Sequence, residues 1–149
     1  MERNGLNPIP TFHLGEDFKW LDIYLEKYDY IALGGTVKVG KTIVEPFLDT
    51  CFSKIKKVWP KKIHGFGIAS PWALQKYPFY SVDTTSWAAG RYGWIYTKTN
   101  LLHKVLSKTQ QYNETFNSKE RDIKNIKRFL QIEKDMVYYW QKRGIVWES

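Results

Sequence analysis

Gly35-Thr36-Val37-Lys38-Val39-Gly40-Lys41-Thr42 matches the phosphate-loop pattern letter for letter and follows the apolar run Tyr30-Ile31-Ala32-Leu33. Such a loop cradles nucleotide phosphates when a helix starts at the Gly-Lys-Thr and points its free amides at them. Pro46 argues against that chemistry. It suits the first position of a helix, whereas inside one it removes a hydrogen bond and clashes with the carbonyl of Thr42, at a cost of ~3 kcal/mol. The β-branched Val37 and Val39 are poor choices where a chain must curl with its amides inward, and Tyr80-Ser81-Val82-Asp83 is a weak acidic partner strand. A P-loop nucleotide-binding enzyme is therefore the lesser reading.

The other residues able to do chemistry stand at the ends of apolar runs. Asp83 ends Phe79-Tyr80-Ser81-Val82 and opens Asp83-Thr84-Thr85-Ser86; taken alone, it caps that turn. His13 ends Ile9-Pro10-Thr11-Phe12, where by itself it reads as a loop or core histidine. Gly34-Gly35 follows Tyr30–Leu33, and Gly67 follows Ile63–Phe66. Cys51 is the single cysteine, which excludes an internal disulfide and any cysteine-based zinc cage, so neither a metal nor another cofactor is expected.

The elements that must position these residues are legible from periodicity. Ile9–His13, Tyr30–Leu33, Ile63–Phe66 and Phe79–Val82 read as strands. Phe18, Leu21, Tyr24, Leu25 and Tyr28 recur at helical spacing across Glu16 to Tyr28, and Phe47, Leu48, Cys51, Phe52, Ile55 and Val58 form a second stripe between Pro46 and Pro60. A short helix is predicted from Pro71 to Tyr77. Strand and helix alternating at this spacing signify βαβ units, so the class is α/β with adjacent parallel strands, and His13, Gly35, Gly67 and Asp83 share one rim. Trp94-Ile95-Tyr96 reads as a last short strand, and a polar Lys/Asn/Gln/Ser-rich loop is predicted from there to Ser118. A long helix follows, capped by Asn117 with Glu120, lined on one face by Ile123, Ile126, Leu130, Val137 and Trp140, and ended by Gly144. Residues 1–97 and 98–149 form the two segments of this reading.

Charge is uneven. The chain of 149 residues carries a formal net charge of +8. Lys98 to Arg143 holds eleven Lys/Arg against five Asp/Glu, and Lys124, Lys127 and Arg128 on the long helix suit a polyanion such as DNA or RNA, or else a solvated helix face. No run approaches the roughly 20 apolar residues of a spanning helix, and Met1-Glu2-Arg3-Asn4-Gly5 lacks a signal-peptide core, so no membrane partner and a cytoplasmic location are expected. The length is too short for a closed eight-stranded α/β barrel, which takes about 250 residues.

Three pieces taken in order, Ala32-Leu33-Gly34-Gly35-Thr36-Val37-Lys38-Val39-Gly40, Ile63-His64-Gly65-Phe66-Gly67-Ile68-Ala69-Ser70-Pro71 and Tyr80-Ser81-Val82-Asp83, resemble successive motifs of the tRNA-guanine transglycosylase superfamily. Phe66-Gly67-Ile68 and Tyr77 to Trp87 are most similar to its zinc-free, phage-encoded branch, whose relatives place 7-deazaguanines in DNA. The resemblance covers Pro8 to Gly93. It implies the C-terminal half of a (β/α)8 TIM barrel followed by a helical extension, in the host cytoplasm if viral. It implies that Asp83 attacks the nucleoside C1′ and displaces guanine, leaving a covalent glycosyl-enzyme that an incoming 7-deazaguanine base resolves. It further implies that Gly34, Gly35 and Gly67 border the base, with the backbone of Gly35 lying against it, and that His13 stands where the family carries a base-reading glutamine. Lys41 stands where the family has an acidic residue, the arginine after the nucleophile strand has no clear counterpart, and the purine-holding aspartate belongs to the first half-barrel. The expected partners are accordingly DNA or RNA, a deazaguanine base, and a second chain or an upstream half-barrel. The competing function is a non-catalytic nucleic-acid-binding remnant.

Overall fold

The computed structural model describes residues 5–97, 103–106 and 117–147; Met1 to Asn4, read above for a leader, and most of the polar segment before Ser118 lie outside them. The order is β1 (Thr11–His13), α1 (Lys19–Lys27), β2 (Tyr30–Gly34), α2 (Lys41–Ile55), β3 (Lys62–Gly65), α3 (Pro71–Lys76), β4 (Ser81–Val82), a 3₁₀ segment Ser86–Tyr92, β5 (Trp94–Thr97), β6 (His103–Leu106) and α4 (Ser118–Gln141). No described helix is long and apolar enough to cross a membrane. Packing groups the chain into two units: the residues up to Ile68 with Lys76–Asp83, and Ala69–Gln75 with the chain from Thr84. That grouping differs from a boundary at 97, because β5 pairs with β6 and packs against α4.

In the first unit, β1, β2, β3 and β4 lie side by side in sequence order, all parallel. The register aligns Phe12, Leu33, Gly65 and Val82 on one face and Thr11, Ala32, His64 and Ser81 on the other. The first face is the core. Phe12 meets Phe18 at 5.3 Å and Phe47 at 5.8 Å between ring centroids, so α1 and α2 cover the same side of the sheet. Right-handed crossovers require this when parallel strands follow one another without a reversal of order. Ile31, Leu33, Leu48, Ile55 and Ile63 are completely buried there, each contributing about 1.5–3 kcal/mol by leaving water. Burial also pushes the Cys51 thiol up to about 12, leaving it a packing group at neutral pH.

α2 corrects one expectation. It begins at Lys41, directly after Gly40, and carries Pro46 inside it instead of starting there. The buried row Val44, Phe47, Leu48, Cys51 and Ile55 runs on both sides of Pro46, and burial of those five side chains outweighs the ~3 kcal/mol that an internal proline costs.

In the second unit, α4 begins with the predicted box: Asn117 accepts from the Glu120 amide at 2.9 Å while Glu120 accepts from the Asn117 amide at 2.9 Å. Its inner face is not the predicted apolar line. Ile123, Ile126, Leu130 and Val137 are all at least 40% exposed, while Asn125 and Ile132 are buried. Hydrogen bonds select this face. Asn125 accepts from the Tyr96 amide at 2.9 Å and donates to the carbonyls of Trp87 and Trp94 at 3.1 and 3.2 Å, Arg121 donates to the Gly90 carbonyl at 2.6 Å, and Trp140 donates to the Leu74 carbonyl at 3.0 Å. Gly90 has no side chain to hold the helix off, since a Cβ there would lie 2.7 Å from Arg121 Cβ. β6, read from sequence as part of a polar loop, pairs antiparallel with β5.

Candidate functional site

All four strands of the sheet end on the same side, so the loops after β1, β2, β3 and β4 share one rim. That is the edge where α/β folds place ligands. His13 closes β1, Gly34 closes β2, Gly67 stands two residues past β3 and Asp83 one residue past β4. The backbone carries the pairing slightly beyond the strands: Leu14 donates to the Gly34 carbonyl at 3.1 Å, Phe66 to Leu33 at 2.9 Å and Asp83 to Gly65 at 3.3 Å. The expected adjacency of the four strands and the shared rim are thus found.

The Gly-Gly loop and His13 form the first cluster. A Cβ on Gly34 would lie 2.9 Å from the His13 ring, and one on Gly35, whose φ is +75°, would lie 3.0 Å from the Leu14 amide. Glycine is therefore what allows β1 and its histidine to close down on this loop. His13 is half-exposed, and its backbone amide donates to Glu16 at 2.9 Å.

The second cluster is built around Asp83. Gly67 donates its amide to Asp83 Oδ1 at 2.8 Å, and His64 Nε2 stands 3.5 Å from the same oxygen. His64 Nδ1 lies 2.7 Å from Ser81 Oγ, which lies 2.7 Å from the Tyr30 hydroxyl. The row Tyr30, Ser81, His64, Asp83 thus runs from the start of β2 across β3 and β4 to the rim. The His64 side chain is 17% exposed and that of Asp83 55% exposed, so the chain of contacts runs from a partly covered interior to a carboxylate open to solvent. Thr36 joins the two clusters by donating to the Phe66 carbonyl at 3.2 Å. Such an array can hold an ionised carboxylate in one orientation against an electrophile.

His64, Ser81 and Tyr30 were not singled out from sequence. The signal was available: a polar residue in the middle of an apolar strand, facing the side that alternation leaves uncovered, in register with a second one. Among the nucleic-acid candidates, Lys124 and Lys127 are exposed on α4, whereas the Arg128 side chain is only 10% exposed and faces Asp135 at 3.9 Å.

The phosphate-loop look-alike now sits between a strand and a helix that starts at Lys41, so the objection from Pro46 falls. Two other features oppose phosphate binding. The Val39 amide is turned inward to the Thr36 carbonyl at 3.3 Å, and the Lys41 ammonium faces Glu45 at 3.5 Å. No protein-family model, curated protein or solved structure matches this chain.

Proposed function

We propose that this protein is a transglycosylase-like enzyme that exchanges guanine for a 7-deazaguanine base in DNA or RNA, with Asp83 as nucleophile. The observation that carries the reading is the Asp83 carboxylate anchored by the Gly67 amide at the rim of a parallel sheet that also carries the Gly34-Gly35 loop. An oxygen of Asp83 forms a bond to C1′ of the nucleoside as the C1′–N9 bond breaks. The purine leaves with the bonding pair and takes up a proton from water. The hydroxide so formed removes the N9 proton of the incoming base and returns to water, and that N9 then attacks C1′ as the C1′–O bond to Asp83 breaks and frees the carboxylate. His13 and the backbone of Gly35 border the base, and the exposed Lys124 and Lys127 attract the polyanion.

The sheet supports the half-barrel form of this proposal. Its strands follow in sequence order, α1 and α2 cover one face, and β1 and β4 each have a strand partner on one side only among the described residues. Parallel sheets are stable with both faces covered and their edges managed. The barrel is completed by a second chain or an upstream half-barrel, which brings the purine-holding carboxylate.

The test is incorporation of a labelled 7-deazaguanine into DNA and RNA, with the complementary half-barrel supplied. Wild type should incorporate label and form a trapped covalent adduct, and Asp83→Asn should do neither while keeping its fold. Inactivity with the second half present, or full activity of Asp83→Asn, overturns the catalytic reading in favour of a nucleic-acid-binding remnant. A P-loop enzyme is the second reading, favoured by the start of α2 at Lys41. Saturable binding of a Mg²⁺–nucleoside triphosphate, abolished in Lys41→Ala, would put it first.

A further inference from the structure

We propose that His64 is a positioning residue that decides which oxygen of Asp83 attacks. This rests on the glycosyl-transfer reading for the identity of the electrophile, but the pairing itself stands on geometry.

Both anchors fall on one oxygen. The Gly67 amide and His64 Nε2 approach Asp83 Oδ1 at 2.8 and 3.5 Å, which leaves Oδ2 as the attacking atom. Holding Oδ1 at two points also fixes the carboxylate about its Cβ–Cγ bond, so Oδ2 keeps one direction. The 3.5 Å contact is an ion-pair distance, longer than a hydrogen bond, and must tighten when substrate binds, as contacts in unliganded sites often do.

The remainder of the row sets the tautomer of the imidazole. Ser81 Oγ lies 2.7 Å from both the Tyr30 hydroxyl and His64 Nδ1. A phenol is the stronger acid of the two hydroxyls, so Tyr30 donates to Ser81, and Ser81 donates to Nδ1. The proton of neutral His64 then stands on Nε2 and points at Asp83. The opposite direction would set a nitrogen lone pair against a carboxylate. The Phe66 ring, 4.5 Å away and inclined at 77°, holds the imidazole plane. Tyr30 and Ser81 thus act on Asp83 at second hand, each through the next residue in the row.

Two measurements test this. Imidazole ¹⁵N spectra of the neutral form should show His64 with its proton on Nε2, and Ser81→Ala should reduce that preference. In base exchange, His64→Phe should lower kcat about 100-fold, the penalty of a misplaced reacting atom, with KM for the base little changed and the melting temperature preserved. His64→Gln, which keeps an N–H near the Nε2 position, should restore most of the loss. A proton on Nδ1 that ignores Ser81→Ala, or wild-type kcat in His64→Phe, overturns the proposal. So does a loss shared equally by His64→Gln and accompanied by a fall in melting temperature. Full exchange activity in Asp83→Asn would instead remove the glycosyl-transfer reading, and the ¹⁵N spectra would still decide the pairing.

Discussion

Gly67→Ala is the sharpest probe of the rim, because two separate costs meet at one atom. Gly67 has φ of +67°, and a Cβ built on it would collide with Cγ2 of Val37 from the neighbouring loop. An alanine held in the left-handed region costs about 1–2 kcal/mol, and overpacking adds about 1–3 kcal/mol. Val37 is 62% exposed and has room to give way, which favours the low end of the second range. The expected destabilisation is therefore about 2–3 kcal/mol. Val37→Ala alone, at an exposed site, should fall within about 0.5 kcal/mol of wild type. Combined with Gly67→Ala it should remove the packing part and leave about 1–2 kcal/mol from the backbone. Urea denaturation reads the total. Exchange of the Phe66 amide, bonded to the Leu33 carbonyl at 2.9 Å, reads it locally. Wild-type stability in Gly67→Ala would refute both the conformation and the contact, and a double variant no more stable than Gly67→Ala would refute the contact.

Other outcomes follow from the remaining contacts. Asn125→Ala strands the Tyr96 amide and the carbonyls of Trp87 and Trp94, so a loss of about 3 kcal/mol or more is expected in denaturation; a change under about 1 kcal/mol would deny the clamp. Lys76 holds the carboxyls of Glu45 and Asp49 below their ordinary values of 4.5 and 3.8 through its hydrogen bonds to them. Their stabilisation is complete above those values and is lost as pH falls through the lowered ones, so Lys76→Met should lower stability slightly at neutral pH, leave it unchanged below the lowered values, and thereby flatten the acid limb of a stability–pH curve. Lys124→Glu with Lys127→Glu should weaken nucleic-acid binding, and wild-type binding should fall steeply with salt in a fluorescence titration. Absence of binding at low salt would return α4 to a solvated helix. Arg128→Glu is a poorer probe, since its paired and mostly covered side chain mixes stability with binding.

Local chemistry determined much of this protein. Period-two and period-3.6 apolar spacing located β1 to β4 and the helices between them, and Asn117 with Glu120 marked the start of α4, because a strand, a stripe and a cap each need only neighbours a few residues away. The same reading placed His13, Gly34, Gly67 and Asp83 at strand ends. Tertiary structure decided what such signals cannot carry. Pro46 lies within α2 because the buried row on both sides of it outweighs its own local preference. The inner face of α4 is set by Asn125 and by the Gly90 approach, not by its apolar line, because satisfying buried backbone groups matters more there than covering four aliphatic side chains. β6 is a strand because β5 lies beside it. Tyr30, His64, Ser81 and Asp83 span more than fifty positions in the chain, and only the sheet's register brings them within hydrogen-bond or ion-pair reach of one another.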